Sequence, residues 1–190
     1  MITTPTIPTY SPARLIDAAL LEIQDGLTTQ LSWLNNAFGK AQRLVRRKDG
    51  REVFYPGVWY GEADYLPVFP DGHIGNFSFF DVEDGQTVER EKGFHGEMVA
   101  DFGLVFWFNF KDVYSTGWEL RTTENVKADV LSALKAIKID RGAFRINQIF
   151  ERAENIYPGY TISEIDDQFL MRPYGGFRIE GELRYYVDCI

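Results

Sequence analysis

The stretch from Phe177 to Cys189 alternates between apolar and charged residues almost without error. Its apolar positions are Phe177, Ile179, Leu183, Tyr185, Val187 and Cys189. Its charged positions are Arg178, Glu180, Glu182, Arg184 and Asp188. Successive side chains of a strand point to opposite faces, so the pattern predicts a long β-strand with one buried and one charged face. We expect the charges to face solvent or a neighbouring subunit rather than a substrate.

A second alternating segment runs from Gly96 to Val113. Its first face carries Met98, Ala100, Phe102, Leu104, Phe106, Phe108 and Phe110. The middle of its other face is also apolar, with Val105 and Trp107. A strand that is apolar on both faces belongs in the centre of a sheet.

Two segments have helical periodicity. Ser11 and Pro12 are typical of a helix start, and the apolar spacing that follows predicts a helix over about 12–25. Thr122 and Thr123 precede a second apolar series with helical spacing, which predicts a second helix.

The remaining chain is punctuated by turn residues. Asp49-Gly50 predicts the tight turn of a hairpin within 40–55, and the Pro- and Gly-rich stretch 56–95 predicts an irregular, aromatic-rich region. Within that region, 76–82 suits a short strand followed by an acidic turn at 83–85. Residues 144–150 suit either a strand or a helix.

These elements define an α+β fold. We expect a mainly antiparallel sheet of about five or six strands with two helices packed on one face. Residues 1–10, rich in Thr and Pro, predict an extended arm, and 11–190 predict one domain.

The amino-acid composition of the chain argues against several classes of function. The 190-residue chain has a formal net charge of −8, which argues against a nucleic-acid-binding role for the whole domain. A single cysteine excludes an internal disulfide framework. The first ten residues lack the pattern of a secretory signal, and the longest apolar block, 104–108, is too short to span a bilayer. We therefore expect a cytoplasmic protein without a membrane partner.

Catalytic signatures are missing from the sequence. The two histidines, His73 and His95, have no second metal ligand at helix or strand spacing. No nucleophile motif, phosphate-binding loop or dinucleotide fingerprint occurs. We therefore expect a non-enzymatic protein that uses no metal or cofactor.

Positive charge is concentrated in the predicted hairpin. Segment 40–51 has a local formal charge of +5. Its candidate interaction residues are Arg43, Arg46, Arg47, Lys48 and Arg51. A basic hairpin on an acidic body is suited to nucleic-acid phosphate or to an acidic surface of a partner. A solvated edge hairpin, whose charges discourage aggregation, is the alternative.

Aromatic residues are concentrated in 54–80. This segment holds Phe54, Tyr55, Trp59, Tyr60, Tyr65, Phe69, Phe77, Phe79 and Phe80. Core and loop packing is the commoner role for such a set, and a small-ligand or glycan platform is the alternative.

The order of these elements resembles that of a known family. The N-terminal helix is followed by a strand pair with Tyr55-Pro56-Gly57, a core strand, a second helix and a closing strand that starts at Pro173-Tyr174-Gly175-Gly176-Phe177-Arg178. This layout resembles the small tail-terminator and tail-completion proteins of long-tailed bacteriophages. The resemblance implies an α+β subunit that assembles as a ring at the head-proximal end of the tail tube.

The sequence therefore favours a structural subunit acting through protein–protein contacts. Its expected partners are copies of itself, other tail proteins or head–tail connector proteins, with the hairpin as a candidate for DNA contact. Arg178, Glu180, Glu182 and Arg184 are the candidate interaction residues of the closing strand. Such a protein would reside in the cytoplasm during assembly and in the virion tail afterwards.

Overall fold

A computed structural model describes residues 13–61, 64–92 and 95–188 of the chain. The predicted arm at 1–10 and the Ser11-Pro12 helix start lie outside the described residues. The α-helices in the described part are α1 (Ile16–Gln30), α2 (Phe110–Val113), α3 (Thr123–Ala136) and α4 (Ala153–Ile156). The strands there are β1 (Asn36–Lys48), β2 (Arg51–Gly61), β3 (Asp64–Pro67), β4 (Phe77–Lys92), β5 (His95–Asn109), β6 (Gly142–Phe150) and β7 (Tyr174–Asp188). Three short 3-10 helices lie at Trp118–Leu120, Ile162–Glu164 and Asp167–Leu170.

All seven described strands form one sheet, in the order β3-β2-β1-β4-β5-β7-β6. Only the β1–β4 pairing is parallel, so the predicted α+β class with a mainly antiparallel sheet is confirmed. The sheet has more strands than the predicted five or six, because the sequence predicts loop at the short edge strand β3 and does not decide between strand and helix at 144–150. β5 lies between β4 and β7, and its middle, from Phe102 to Phe108, is buried on both faces, as the two apolar faces predicted.

Helices α1 and α3 cover one face of the sheet. Their apolar residues form one core with the inward residues of β5 and β7, including Phe106 and Phe177. The Thr122 hydroxyl accepts a hydrogen bond from the Asn125 amide at 3.3 Å, which caps α3 as predicted. Helix α1 starts later than predicted and continues through Gly26, whose missing side chain lets α1 approach Ile137.

A second layer covers part of the opposite face, and the prediction of helices on one face only did not include it. Segment 151–173, which contains α4 and two 3-10 helices, packs Tyr157, Ile165 and Phe169 against this face. Its buried partners in the sheet include Phe79 and Val105. The layer stops short of the β7 end near Arg184, which leaves a polar part of the sheet uncovered.

The predicted irregular region 56–95 is mostly strand, which corrects that prediction. It contains the end of β2, all of β3 and all of β4. β4 continues through the predicted turn at 83–85, but these three residues have no partner on β5 and the pairing register shifts between Val82 and Gln86. The polar residues there reflect an exposed strand rather than a turn, because residues 83–89 are all exposed.

Strands β1 and β2 form the predicted hairpin. Asp49 and Gly50 occupy its turn with φ values of 51° and 76°, as a tight hairpin turn requires. β1 pairs with β4 only from Asn36 to Lys40 and then continues with β2 alone. The hairpin therefore diverges from the main sheet beyond Lys40.

Candidate protein interaction surfaces

Arg178 is buried within the subunit, which corrects the expectation that it faces solvent or a neighbour. The residue is 5% exposed. Its Nη1 donates a hydrogen bond to Asp81 Oδ2 at 2.7 Å, and its Nε donates to Glu180 Oε1 at 3.0 Å. The Arg178 guanidinium therefore has a structural role. Removal of either carboxylate would leave its buried positive charge without a full set of ion-pair partners.

The room for Arg178 comes from the neighbouring strand. Gly103 on β5 pairs with Glu180, and a Cβ on Gly103 would lie 2.0 Å from Arg178 Cζ. Segment 151–173 adds Tyr160, whose hydroxyl donates to Asp81 Oδ1 at 3.1 Å. Burial raises the pKa of Tyr160 well above its ordinary value of 10.0, and the nearby Asp81 carboxylate raises this pKa further. The phenol therefore remains protonated and donates its hydrogen bond at neutral pH.

The uncovered part of the sheet beyond Arg178 carries mostly acidic side chains, and we call it the acidic sheet face. Its charged residues, with the Arg178 cluster at its border, are Asp81, Glu83, Glu89, Glu97, Asp101, Glu180, Glu182, Arg145, Arg178 and Arg184. Among the side chains that the structure describes, seven carboxylates and three arginines give this face a formal charge of −4.

Ion pairs within this face centre on Arg184. Its guanidinium lies 2.9 Å from both Glu89 and Glu182 and 3.9 Å from Glu97. These side chains are partly exposed, so each pair contributes little to stability. Asp101 is exposed and has no salt bridge among the described residues, which leaves it available to a partner's cation.

The basic hairpin is partly neutralised within the subunit. Arg46 Nη2 and Lys48 Nζ lie 3.0 and 2.9 Å from Glu164 Oε2. The Lys48 hydrogen bond, with that of Arg46, holds the pKa of Glu164 below its ordinary value of 4.5. Segment 151–173 thereby fastens to the hairpin. The Thr161 amide also donates to the Phe54 carbonyl, and the Thr161 hydroxyl accepts from the Phe54 amide.

Three further cations of the hairpin differ in their surroundings. The Arg43 guanidinium lies 4.3 Å from the Phe54 ring centroid, a cation–π contact. Arg51 directly follows the turn, and Arg47 lies two residues before it, opposite Glu52; both are exposed and have no salt bridge within the described part of the chain. Of the hairpin residues chosen from sequence, Arg47 and Arg51 are therefore the ones best placed to bind a partner, and we call them the hairpin tip.

The aromatic segment 54–80 does not form one platform. Phe77, Phe79 and Phe80 are fully buried in the two cores, as the packing interpretation predicted. Trp59 and Tyr65 form a T-shaped pair, with ring centroids 5.3 Å apart, beside a cleft of about 250 Å³. The other wall of this cleft is the start of α1, including Asp17, which the sequence pattern of 54–80 could not reveal.

Among the described residues, no group of three or more His, Cys, Asp or Glu side chains is arranged to hold a metal ion. His73 is exposed in the loop before β4. No helix in the described part of the chain is long and apolar enough to cross a bilayer.

Comparison of the chain with protein-family models and with curated proteins finds no match.

Proposed function

We propose that this protein is a non-enzymatic assembly subunit that acts through protein–protein contacts, in the manner of a phage tail-terminator or tail-completion protein. The supporting observation is the separation of charge on one subunit. The hairpin tip presents Arg47 and Arg51, whereas the acidic sheet face has a formal charge of −4 and a free Asp101.

The two charged surfaces do not neutralise each other within the subunit. Residues Tyr160 to Glu164 lie between them, with Tyr160 bonded to Asp81 and Glu164 bonded to the hairpin. Opposite charges at two different places suit a head-to-tail contact between identical subunits, with the hairpin tip of one against the acidic sheet face of the next. Repetition of such a contact closes a ring when the rotation between subunits permits it.

The proposed partners are copies of this chain, together with tail or head–tail connector proteins. On this proposal the subunit acts in the cytoplasm during assembly and then in the virion tail, without a cofactor. Contact of the hairpin with DNA is less well supported. Two free arginines on a chain of net charge −8 provide few phosphate contacts, and affinity for DNA grows with the number of phosphates neutralised.

The proposal is tested by the mass of the protein in solution. We expect light scattering and native mass spectrometry at rising concentration to show species larger than the 21.9 kDa monomer. The double variant Arg47→Glu/Arg51→Glu should remain monomeric, whereas Arg14→Glu/Lys111→Glu, which reverses exposed cations elsewhere, should assemble like the original protein. A monomer at all concentrations, both alone and with tail-tube protein, would contradict the proposal.

A small-ligand or glycan-binding module is the second candidate, supported by the Trp59–Tyr65 pair beside its cleft. Aromatic rings next to polar groups suit the apolar faces and hydroxyls of a sugar. Titration with a panel of oligosaccharides should then change the tryptophan fluorescence, and Trp59→Ala should remove that change while a monomer mass persists.

A further inference from the structure

Strand β6 is an open edge of the sheet. It pairs with β7 on one side, and it is the terminal strand of the sheet that the described residues form. The Arg141 carbonyl accepts a hydrogen bond from the Tyr186 amide of β7 at 3.0 Å. Because backbone groups alternate sides in an antiparallel ladder, the amides and carbonyls of Gly142, Phe144 and Ile146 point to the open side.

An apolar groove follows this edge. It lies between α3 and β6 and has a volume of about 510 Å³. Its apolar lining comes from Leu131, Leu134, Ile137, Ile139, Phe144 and Ile146. The charged residues that line it are Lys135 and Arg145, with no carboxylate among them. An apolar groove beside unpaired backbone groups is the arrangement by which sheets accept an added strand.

We propose that β6 and this groove bind an extended segment of a partner protein, which adds to the sheet as a further strand. The segment would bond to the backbone of Gly142, Phe144 and Ile146. Its alternate side chains would enter the groove and should therefore be apolar. Its remaining side chains would lie on the face of the sheet that carries Arg145, the outermost strand's only charge on the acidic sheet face. A carboxylate directly opposite Arg145 gains an opposite charge, because Glu182, which pairs with Arg145, lies on β7 on the other side of β6.

Charge favours this acidic partner over a second copy of β6. Arg145 is exposed, has no salt bridge within the described residues, and is the only charged residue of the strand. Two β6 strands pairing with each other would bring together two arginines and no carboxylate. A segment that alternates apolar and acidic residues can place its apolar side chains in the groove and a carboxylate next to Arg145.

The proposal does not depend on the head-to-tail contact proposed above, because it uses the edge of β6 and shares only Arg145 with the acidic sheet face. The test uses a fluorescent six-residue peptide that alternates valine and aspartate. Controls are a peptide of the same composition with its valines first and its aspartates last, and one that alternates valine and lysine. Anisotropy measures binding, and amide hydrogen exchange followed by NMR locates it.

We expect the valine–aspartate peptide to bind at least about tenfold more tightly than either control, with new protection of the Phe144 and Ile146 amides. The variant Lys135→Glu/Arg145→Glu should weaken binding by about tenfold. The matched variant Arg14→Glu/Lys111→Glu, also at exposed positions, should leave it unchanged.

Three outcomes would overturn the proposal. The first is equal binding of the alternating and rearranged peptides. The second is protection that maps to another part of the sheet. The third is protection of Phe144 and Ile146 that grows with protein concentration in the absence of peptide, since a second copy would then occupy the edge.

Discussion

The guanidinium of Arg178 occupies the space into which a side chain on Gly103 would extend. The two residues lie on adjacent strands, β7 and β5, and a Cβ on Gly103 would lie 2.0 Å from Arg178 Cζ. The glycine is therefore required by packing and not by its backbone conformation. It allows a buried arginine to reach Asp81 on β4 across the sheet and to bond to Glu180 on its own strand.

Gly103→Ala should destabilise the protein by about 3 kcal/mol, because the added methyl group displaces the guanidinium from its carboxylates. Urea unfolding followed by circular dichroism measures this change. Gly85→Ala is the matched control, since it adds the same methyl group on β4 with no atom within 4 Å. Equal stabilities of the two variants would show that Arg178 can move without cost.

Reversal of Glu180 and reversal of Glu182 should have different effects, although the residues share one face of β7. Glu180→Lys places a cation beside the buried Arg178 and should cost about 2 kcal/mol of unfolding free energy. Glu182→Lys affects the partly exposed Arg184 and should cost clearly less than Glu180→Lys. Thermal unfolding of both variants distinguishes them, and a larger loss for Glu182→Lys would contradict this assignment.

The strand pattern predicted β7 and β5 because alternation directly reports which side chains share a face. The Asp49-Gly50 turn and the Thr122 cap were also predictable, since each depends on local chemistry. Burial of Arg178 was not predictable in this way. Alternation places Arg178 and Phe177 on opposite faces of β7. It does not reveal that Tyr160, from an irregular segment distant in sequence, covers the face that carries Arg178.

Contacts between distant segments also explain why the sequence did not predict the course of β4 or the candidate surfaces. Polar residues on both faces at 83–89 imitate a turn, yet this part of β4 is an exposed strand held by β5. The groove beside β6 combines α3 with a strand whose type the sequence left open. The strand at 83–89 and the groove beside β6 both depend on contacts between segments that are distant in sequence, and local residue patterns do not reveal such contacts.

Acid should weaken the contact between the hairpin and segment 151–173. The pKa of Glu164 is lowered in the folded protein, so its stabilising contribution is fully present above 4.5 and is lost as the pH falls through the lowered value. Glu164→Gln should therefore be less stable than the original protein at neutral pH, with a difference that shrinks near pH ~3. Urea unfolding at both pH values measures this difference.

The matched control for this experiment is Glu52→Gln. Glu52 is exposed on the same hairpin and has no salt bridge among the described residues. Its replacement should cause a smaller loss of stability at neutral pH than Glu164→Gln. A Glu164→Gln effect that stays constant from neutral to acidic pH would show that the carboxylate charge is not what holds the segment.

Assembly through the hairpin tip should be restored by exchanging the charges of the two surfaces. Arg47→Glu/Arg51→Glu should abolish higher-mass species, because the tip would then repel the acidic sheet face. Mixing that variant with Asp101→Lys/Glu182→Lys subunits, whose face is formally neutral, should restore a species that contains both. The unaltered tip of the second variant meets the unaltered face of the first, and the reversed charges of the other tip meet the reversed charges at positions 101 and 182. These face positions avoid the buried Arg178 cluster, so both variants should remain folded.

Native mass spectrometry of the mixture, at low and then high salt, detects the restored contact and its expected loss through screening. Persistence of higher-mass species in Arg47→Glu/Arg51→Glu alone would place the subunit contact elsewhere on the protein.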